Sequence, residues 1–403
     1  MTSINKQVGC IFLIIGTSLG GGILAIPMVL SYFGTVIGCA IMFLVWILMT
    51  YSTLAVAEAC LHYDRGISYL GLAHKLFKKP GIILVYICAF SILYGMLTAY
   101  ISAVGSSFES IFHINNTLIE VIFVMIFGGF ILKGTNYAEW LNRMFLSIKL
   151  VIILVAILML LKSVSLDKLL VYNISHFKSL VIAIPVLATT FSAHIIIPTI
   201  VNYVGPHPKD IRRIILCASA LILIIYTFWI IAIFGNIFIY GGATSFSALL
   251  IHLHDKDSVY QLLYILKENI HSTTIITLVY TFITISVTTA FITLSLALRD
   301  LILDRFKMDK LPTLQKTVTL IFLLFLLPIL LNYFFAKLFL VALSIVGLFS
   351  LIMLVSCPLN MVRLIQNNGS QLFYKSMSNR ILKHFALFIA ILLIMFQIAT
   401  YIL

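Results

Sequence analysis

Eleven apolar runs, most of them long enough to cross a lipid bilayer, divide this chain of 403 residues. A helix needs about 20 mostly apolar residues to span the hydrocarbon core, where every backbone N–H and C=O group must find a partner within the segment. The runs lie at about 8–31, 35–60, 81–107, 117–133, 144–162, 179–200, 212–236, 271–298, 314–332, 336–357 and 383–403. Hydrophobic residues make up 62% of the chain and charged residues 10%, so water cannot be its main solvent. The sequence therefore predicts an all-α polytopic membrane protein with about eleven transmembrane helices.

The basic residues lie in the short connections between the runs, and mainly on one side of the membrane. If the N-terminus is cytoplasmic, twenty of the 26 Lys and Arg residues fall in inside segments. The six on the outside are Lys162, Lys168, Lys178, Lys256, Lys267 and Lys337. Cytoplasmic loops of membrane proteins carry an excess of Lys and Arg. The bias predicts a multi-pass protein of a bacterial cytoplasmic membrane, with an odd number of spans and a periplasmic C-terminus.

The distribution of charge and cysteine argues against several other partners. The net charge of +13 forms no basic stripe interleaved with aromatic residues, so we expect it to face anionic lipid and not nucleic acid. The six cysteines are scattered singly and show no metal-ligand spacing. His252 and His254, followed by Asp255 and Asp257, suggest a metal, but they lie in a polar outer loop where solvated side chains are commoner. We expect no metal and no cofactor.

No Pro-, Gly- or Ser-rich linker divides the chain, so residues 1–403 are predicted to form one transmembrane domain. The first run lacks an A-x-A cleavage site, and we expect it to be a retained helix and not a signal peptide. The longest connections are 62–80, in which Tyr69 to His74 could form an interfacial helix, and 241–270. Motifs of a P-loop, an H-E-x-x-H zinc site or a G-x-S-x-G nucleophile are absent from the sequence, so we do not expect an enzyme.

Two of the runs carry a cluster of small or polar residues followed by a proline. The first run contains four glycines between Gly16 and Gly22, which disfavour a continuous helix, and ends in Pro27. The sixth run contains Thr189-Thr190-Phe191-Ser192-Ala193-His194 and ends in Pro198. Interrupted segments at corresponding places in two halves are typical of inverted-repeat transporters whose site lies at mid-membrane. The alternative is that the glycines form a helix-packing face and that His194 is a satisfied buried histidine.

A break of this kind suits a zwitterionic ligand. Free N–H groups at the start of the outer half-helix can bind a carboxylate, and free carbonyl groups at the end of the inner half-helix can accept from an ammonium. Glycine lets the ligand approach the backbone, and hydroxyl groups add polar contacts. The candidate substrate-binding residues are Gly16, Thr17, Ser18, Gly20, Gly21, Gly22, Thr190, Phe191 and His194.

The two interrupted segments resemble those of the hydroxy and aromatic amino acid permease family, within the amino acid-polyamine-organocation superfamily, and especially its tyrosine- and tryptophan-specific members. Residues 16–27 are similar to the family pattern G-T-x-I-G-A-G-M-L-A-x-P, with Gly21 where alanine is usual. Residues 191–198 are similar to F-G-F-H-x-x-I-P, with Ser192 and Ala193 in place of Gly-Phe. The eighth helix has 289–293 where the relatives have T-S-F-L-G. The resemblance extends over most of the chain.

The resemblance implies the LeuT-type architecture of two inverted five-helix repeats plus one further helix. The repeats would cover about 8–162 and 179–357, and the extra helix about 383–403. It also implies proton-coupled uptake of tyrosine or tryptophan, with serine, threonine or another amino acid as alternatives. In this architecture Lys149 of the fifth helix could occupy the place that sodium-coupled relatives give to a cation, and it is the candidate for proton coupling.

Several alternatives stay open at this point. Lys149, about two turns into the fifth helix from the cytoplasmic side, could instead snorkel from the helix end, and His194 could relay a proton or make a structural hydrogen bond to an unwound carbonyl. Sodium coupling is possible because the hydroxyl groups of Thr288 and Thr289 could ligate that ion. A channel or a non-transporting amino acid sensor could share the fold. The sequence leaves the oligomeric state unknown. Glu58 and Glu109 are expected to be gate or interface residues, and Tyr94, Tyr100 and Phe291 could line a pocket.

Overall fold

The computed structural model describes residues 4–63, 66–112, 114–133, 135–171, 179–241, 244–247, 258–306, 312–334 and 339–402. Within these ranges the regular secondary structure is entirely helical, which confirms the all-α prediction. The helices are α1 (Ile4–Ser18), α2 (Gly22–Leu30), α3 (Gly34–Leu61), α4 (Tyr69–Leu76), α5 (Lys79–Phe112), α6 (Asn116–Lys133), α7 (Thr135–Leu161), α8 (Leu166–Leu169), α9 (Leu180–Thr190), α10 (Ile197–Val204), α11 (Pro208–Phe234), α12 (Ser258–Asn269), α13 (Thr273–Phe306), α14 (Thr313–Ile321), α15 (Leu327–Phe334), α16 (Phe339–Ser350), α17 (Cys357–Asn367), α18 (Lys375–Ser378) and α19 (Arg380–Ile402).

Nine helical spans in the described ranges are long and apolar enough to cross a membrane, and ten if α1 and α2 count as one bent span. Helix α6 is apolar but shorter, over Asn116–Leu132. A π-helical turn, Phe322–Leu326, joins α14 to α15, and another, Leu351–Ser356, joins α16 to α17. The chain is therefore a polytopic membrane protein.

The interrupted helices lie at the centre of the bundle. Helix α2 packs against α9, α11 packs against α1 and α3, and α13 packs against α7 and α5. Helix α16 crosses both α5 and α9 at close range because glycines face their partners. A Cβ atom added to Gly347 would lie 2.6 Å from the backbone carbonyl carbon of Pro185, and one added to Gly95 would lie 2.4 Å from Cγ2 of Val346. The contact at Gly347 fixes α9, the first half of the second interrupted helix, against α16.

The connection at 62–80 contains a helix where the sequence suggested one. Helix α4 begins after Ser68, whose Oγ accepts a hydrogen bond from the Gly71 amide at 3.0 Å and so caps the helix. Nearby, the buried Glu58 carboxylate accepts from the amides of Phe373 and Tyr374, each at 2.8 Å. Burial raises the pKa of Tyr374, and the Glu58 charge raises it further. Glu58 thus joins α3 to the segment before the last helix, in keeping with an interface role.

Two expectations from the sequence fall outside the described residues. The boundary between the ninth and tenth runs lies at 335–338, and the pair His252 and His254 lies within 248–257. The fifth apolar run, expected at 144–162, belongs to a longer helix that begins at Thr135. Its first turns contain polar residues, so hydrophobicity alone did not predict where the helix begins.

Candidate substrate-binding site

The first interrupted helix breaks where its glycines cluster. Helix α1 ends at Ser18, α2 begins at Gly22, and the two axes are bent by 59°. Glycine has no side chain to stabilise the helical conformation and gains most freedom outside it, so a cluster of glycines favours this interruption. The predicted break is confirmed, and it leaves backbone groups at the centre of the protein that the helix no longer pairs.

Lys149 lies at the α1 end of this break. Its Nζ donates to the carbonyl oxygens of Gly16 at 2.9 Å and Leu19 at 2.8 Å, and to Oγ1 of Thr289 at 3.0 Å. Gly16 allows α7 to come close, because a Cβ atom there would lie 2.0 Å from Leu146. The lysine is 1% exposed and lies about four turns into its helix, so the snorkelling interpretation is wrong. The ammonium is instead a ligand of the broken backbone.

The α2 end of the break presents its amide groups to Tyr100 of α5. Gly21 and Gly22 stand at the start of α2, where backbone N–H groups have no acceptor within the helix, and the Tyr100 side chain lies against them. Its ring covers Gly21 so closely that an added Cβ would lie 2.4 Å from Cε1. The Gly20 amide, expected to be free, donates to the Ser18 carbonyl at 2.8 Å. The amide cradle therefore consists of Gly21 and Gly22.

The second interruption begins after Thr190. Residues 191–193 leave the helix, a 3-10 turn follows over His194–Ile196, and α10 then continues the span. Cγ2 of Thr190 packs where a Cβ on Gly22 would lie, at 2.7 Å, so the two breaks touch. Phe191 is buried and packs edge-on against the Tyr226 ring, with centroids 5.2 Å apart. The break predicted from the sequence is confirmed, and it faces the first.

Tyr226 of α11 joins the carbonyl ends of the two broken helices. Its hydroxyl lies 2.7 Å from the Ser18 carbonyl oxygen and 3.1 Å from that of Thr190, and its side chain is fully buried. Both carbonyl groups terminate helices, so both carry the negative end of a helix dipole. A single phenol proton is shared between two acceptors at this point.

Three other candidates take different positions. Thr17 is exposed and its hydroxyl donates back to Ile14 at 2.8 Å, so its side chain does not join the cluster. The buried Oγ of Ser18 has no hydrogen-bond partner among the described residues. His194 is fully buried, with Nε2 at 3.4 Å from Oγ1 of Thr53 and Nδ1 unpaired within the described part of the chain. Its contact is a side-chain hydroxyl and not the unwound carbonyl that the sequence suggested.

Among the residues named for other roles, some belong to the site and others do not. Thr289 belongs to the site through Lys149, whereas the Thr288 hydroxyl donates to its own helix at Thr284, 2.7 Å away. Phe291 packs edge-on against Phe123 and stacks on Phe325 as part of the core. Sequence reasoning missed Tyr226 and named Tyr100 only as one aromatic among several. No local signal marks either tyrosine, because each acts on a segment far away in the sequence.

The geometry brings amide donors, carbonyl acceptors and a buried lysine together at two facing breaks. A model of the tryptophan/tyrosine permease family matches residues 3–397 of the chain. The chain belongs to this family. Its members are transport proteins and not enzymes, as the sequence predicted.

Characterised relatives of this permease include three bacterial transporters. The "Tyrosine-specific transport system 1" of Haemophilus influenzae is 30% identical over 234 residues, 57% of this chain and 58% of the relative. The "Glutamine transporter 2" of Aliivibrio fischeri is 27% identical over 239 residues, 58% of this chain and 61% of the relative. The "Tryptophan-specific transport protein" of Haemophilus influenzae is 26% identical over 412 residues, 97% of this chain and 95% of the relative. The first two matches span less than two thirds of the relatives' lengths.

Proposed function

We propose that this permease carries an aromatic amino acid, tyrosine or tryptophan, into the cytoplasm together with a proton, across a bacterial cytoplasmic membrane. The observation that carries the proposal is that the two facing breaks bring backbone N–H groups and backbone carbonyl groups together at one place. The amides of Gly21 and Gly22 suit a carboxylate, and the carbonyl groups of Ser18 and Thr190 suit an ammonium. Every α-amino acid offers both groups. Relatives named for tyrosine and tryptophan transport support the aromatic side chain.

The proposed coupling group is Lys149. Its Nζ holds the carbonyl oxygens of Gly16 and Leu19 at the end of the inner half-helix, and no salt bridge pairs it within the described residues. As an ammonium it ties α7 to the break, and as a neutral amine it has fewer donors to offer these carbonyls. Protonation of one side chain can therefore change how firmly the first broken helix is held. Since an ammonium occupies these oxygens, a sodium ion would have to displace it, which favours a proton as the coupling ion.

The proposed mechanism is alternating access around the two breaks. The helices would form two inverted repeats, about 8–162 and 179–357, followed by the extra helix at about 383–403, for eleven spans in all. The contact between α2 and α9 and the matching interruptions support this arrangement. The half-helices would rock about the bound amino acid and open the site to one side at a time.

A second candidate substrate is glutamine. The Aliivibrio fischeri relative named for glutamine aligns at an identity close to that of the tyrosine transporter, so a polar side chain fits the same family scaffold. The backbone poles would bind either amino acid alike. Phe191, buried beside Tyr226, favours an aromatic partner over an amide.

Counterflow in proteoliposomes tests the substrate class. Vesicles containing the purified protein are loaded with one unlabelled amino acid, and entry of labelled tyrosine is measured against equal loads of tyrosine, tryptophan, glutamine, serine or threonine. We expect tyrosine or tryptophan inside to drive the fastest exchange. Exchange driven best by glutamine would move the assignment to the second candidate, and exchange with none of the five would remove the amino acid from the proposal.

A further inference from the structure

Two buried tyrosines lie where the two charged groups of an amino acid would bind. The Tyr226 hydroxyl is the donor to the carbonyl groups of Ser18 and Thr190, at 2.7 and 3.1 Å. The Tyr100 ring lies against Gly21, and its hydroxyl oxygen lies 3.4 Å from the Cβ position of Gly20, beside the amides that begin α2. Both side chains are almost wholly buried, so neither phenol has water as an alternative partner. A zwitterion and these phenols cannot hold the same backbone groups at the same time.

We propose that Tyr100 and Tyr226 are surrogate ligands, which occupy the carboxylate and ammonium poles of the site whenever no amino acid is bound. The inference rests on the proposed function. It assigns each phenol to the pole that its chemistry matches: a hydroxyl oxygen accepts at the amide cradle, and a hydroxyl proton is donated at the carbonyl pair.

The balance of hydrogen bonds lets the substrate displace the phenols when it binds, and lets the phenols satisfy the backbone groups again after it has left. One phenol proton serves two carbonyl groups, whereas an ammonium brings three donors, and an ionised carboxylate accepts more strongly than a neutral hydroxyl. The substrate therefore displaces the tyrosines. When it leaves, a buried amide or carbonyl without a partner would be costly, and the tyrosines return to satisfy it.

The surrogate contacts would affect one step of the transport cycle, the return of the empty carrier. Net uptake requires the empty carrier to return across the membrane with its site closed, but exchange of one amino acid for another does not. The surrogate contacts stabilise the closed site of the empty carrier. The ring of Phe191 packs on Tyr226, so movement of the phenol also reaches the residue that we place beside the substrate side chain.

The test compares net uptake with exchange in Tyr226→Phe and Tyr100→Phe, with Tyr240→Phe as the control. Tyr240 also loses one hydroxyl bond, to the Tyr32 carbonyl at 3.4 Å, but Tyr32 follows the end of α2 that lies opposite to the break. Loss of one buried hydrogen bond predicts that the ratio of net uptake to exchange falls about fivefold in each site variant and stays at the wild-type value in the control. An unchanged ratio, or a parallel loss of both activities, would overturn the proposal.

Equilibrium binding of labelled tyrosine and tryptophan to the purified proteins gives a second readout that needs no transport. Because each site variant lacks a competitor for the poles, we expect its Kd to fall about fivefold. A tyrosine that served only to support the fold would raise the Kd instead, and that result would also overturn the proposal. Wild-type protein that neither binds nor exchanges an aromatic amino acid would count against the proposed function itself, and the variants' response is scored separately from it.

Discussion

Lys149 shows how a single side chain can replace a backbone partner at a helix break. Its three hydrogen bonds, to two carbonyl groups of the first break and to Thr289, tie α7 and α13 to the end of α1. An uncompensated charge inside a membrane protein is costly, so a lysine is retained at such a position only where it has partners or a task. Here the partners are the Gly16 and Leu19 carbonyl groups at the first break, and the task that we propose is proton coupling.

Replacing Lys149 with methionine keeps the length of the side chain and removes its hydrogen bonds. The Gly16 and Leu19 carbonyls would lose their buried donor, and the coupling group would be absent. We expect Lys149→Met to lower proton-driven accumulation of tyrosine or tryptophan by at least about tenfold, measured as uptake into proteoliposomes under an inward proton gradient. The control is Lys162→Met, which changes an exposed lysine just after the same helix. Wild-type accumulation in Lys149→Met would contradict the coupling role.

At the same scale, part of the site could be predicted from the sequence and part could not. Gly21, Gly22 and Thr190 lie within the glycine and threonine clusters that predicted the breaks, since local composition decides where a helix is interrupted. Tyr226 is one of 18 tyrosines, and it meets Ser18 across 208 positions of sequence. Nothing local distinguishes such a residue, because its role comes from the way α11 packs on two other helices.

The elements of the fold were predictable wherever hydrophobicity alone bounds them. The predicted break in the first run matches the helix boundaries, and the helix suggested at Tyr69 to His74 is present as α4, which extends to Leu76. The start of α7 was not predictable in this way, because nine residues from Thr135 precede the apolar run at Met144. That difference placed Lys149 too near a helix end and made a snorkelling lysine plausible. The depth of a charge in a membrane helix depends on where the helix starts and not on where its apolar run starts.

The close packing of α16 on α9 predicts that a larger residue at their crossing destabilises the protein. A Cβ on Gly347 would meet the Pro185 backbone at 2.6 Å, and backbone cannot move aside as the tip of a side chain can. We expect Gly347→Ala to destabilise the protein by about 1 to 3 kcal/mol and to lower its Tm in detergent. Gly129→Ala is the matched control, because no heavy atom lies within 4 Å of its Cβ position. If both variants melt together with the wild type, the close crossing of these helices is wrong.

For the whole molecule, the charge distribution predicts which ends of the spans face the cytoplasm. The number and length of the spans do not give this orientation. Twenty basic residues on one side and six on the other orient an odd number of spans, eleven in this account, with the N-terminus inside. Over the described residues, the structure provides nine such spans, a bent pair that makes a tenth, and the shorter apolar α6. Whether α6 crosses the membrane decides the side on which the chain ends.

Reporter fusions test this topology. Alkaline phosphatase is active only in the periplasm and green fluorescent protein fluoresces only in the cytoplasm. We expect a C-terminal phosphatase fusion to be active and a C-terminal fluorescent fusion to be dark. The control is the same pair of reporters after Gly369, in the turn that precedes the last helices, where the pattern should reverse. A fluorescent C-terminal fusion would mean an even number of spans or an inverted protein.

The central claim, that amino acid and proton move together, is tested most directly by the pH inside proteoliposomes. A trapped pH-sensitive dye reports the lumen while tyrosine or tryptophan is added outside, with no imposed proton or sodium gradient and with potassium and valinomycin present to prevent a membrane potential from building up. The account predicts that the lumen acidifies on addition of the amino acid in wild-type vesicles and does not do so with Lys149→Met. Entry of labelled amino acid without acidification, or entry that requires sodium, would contradict it.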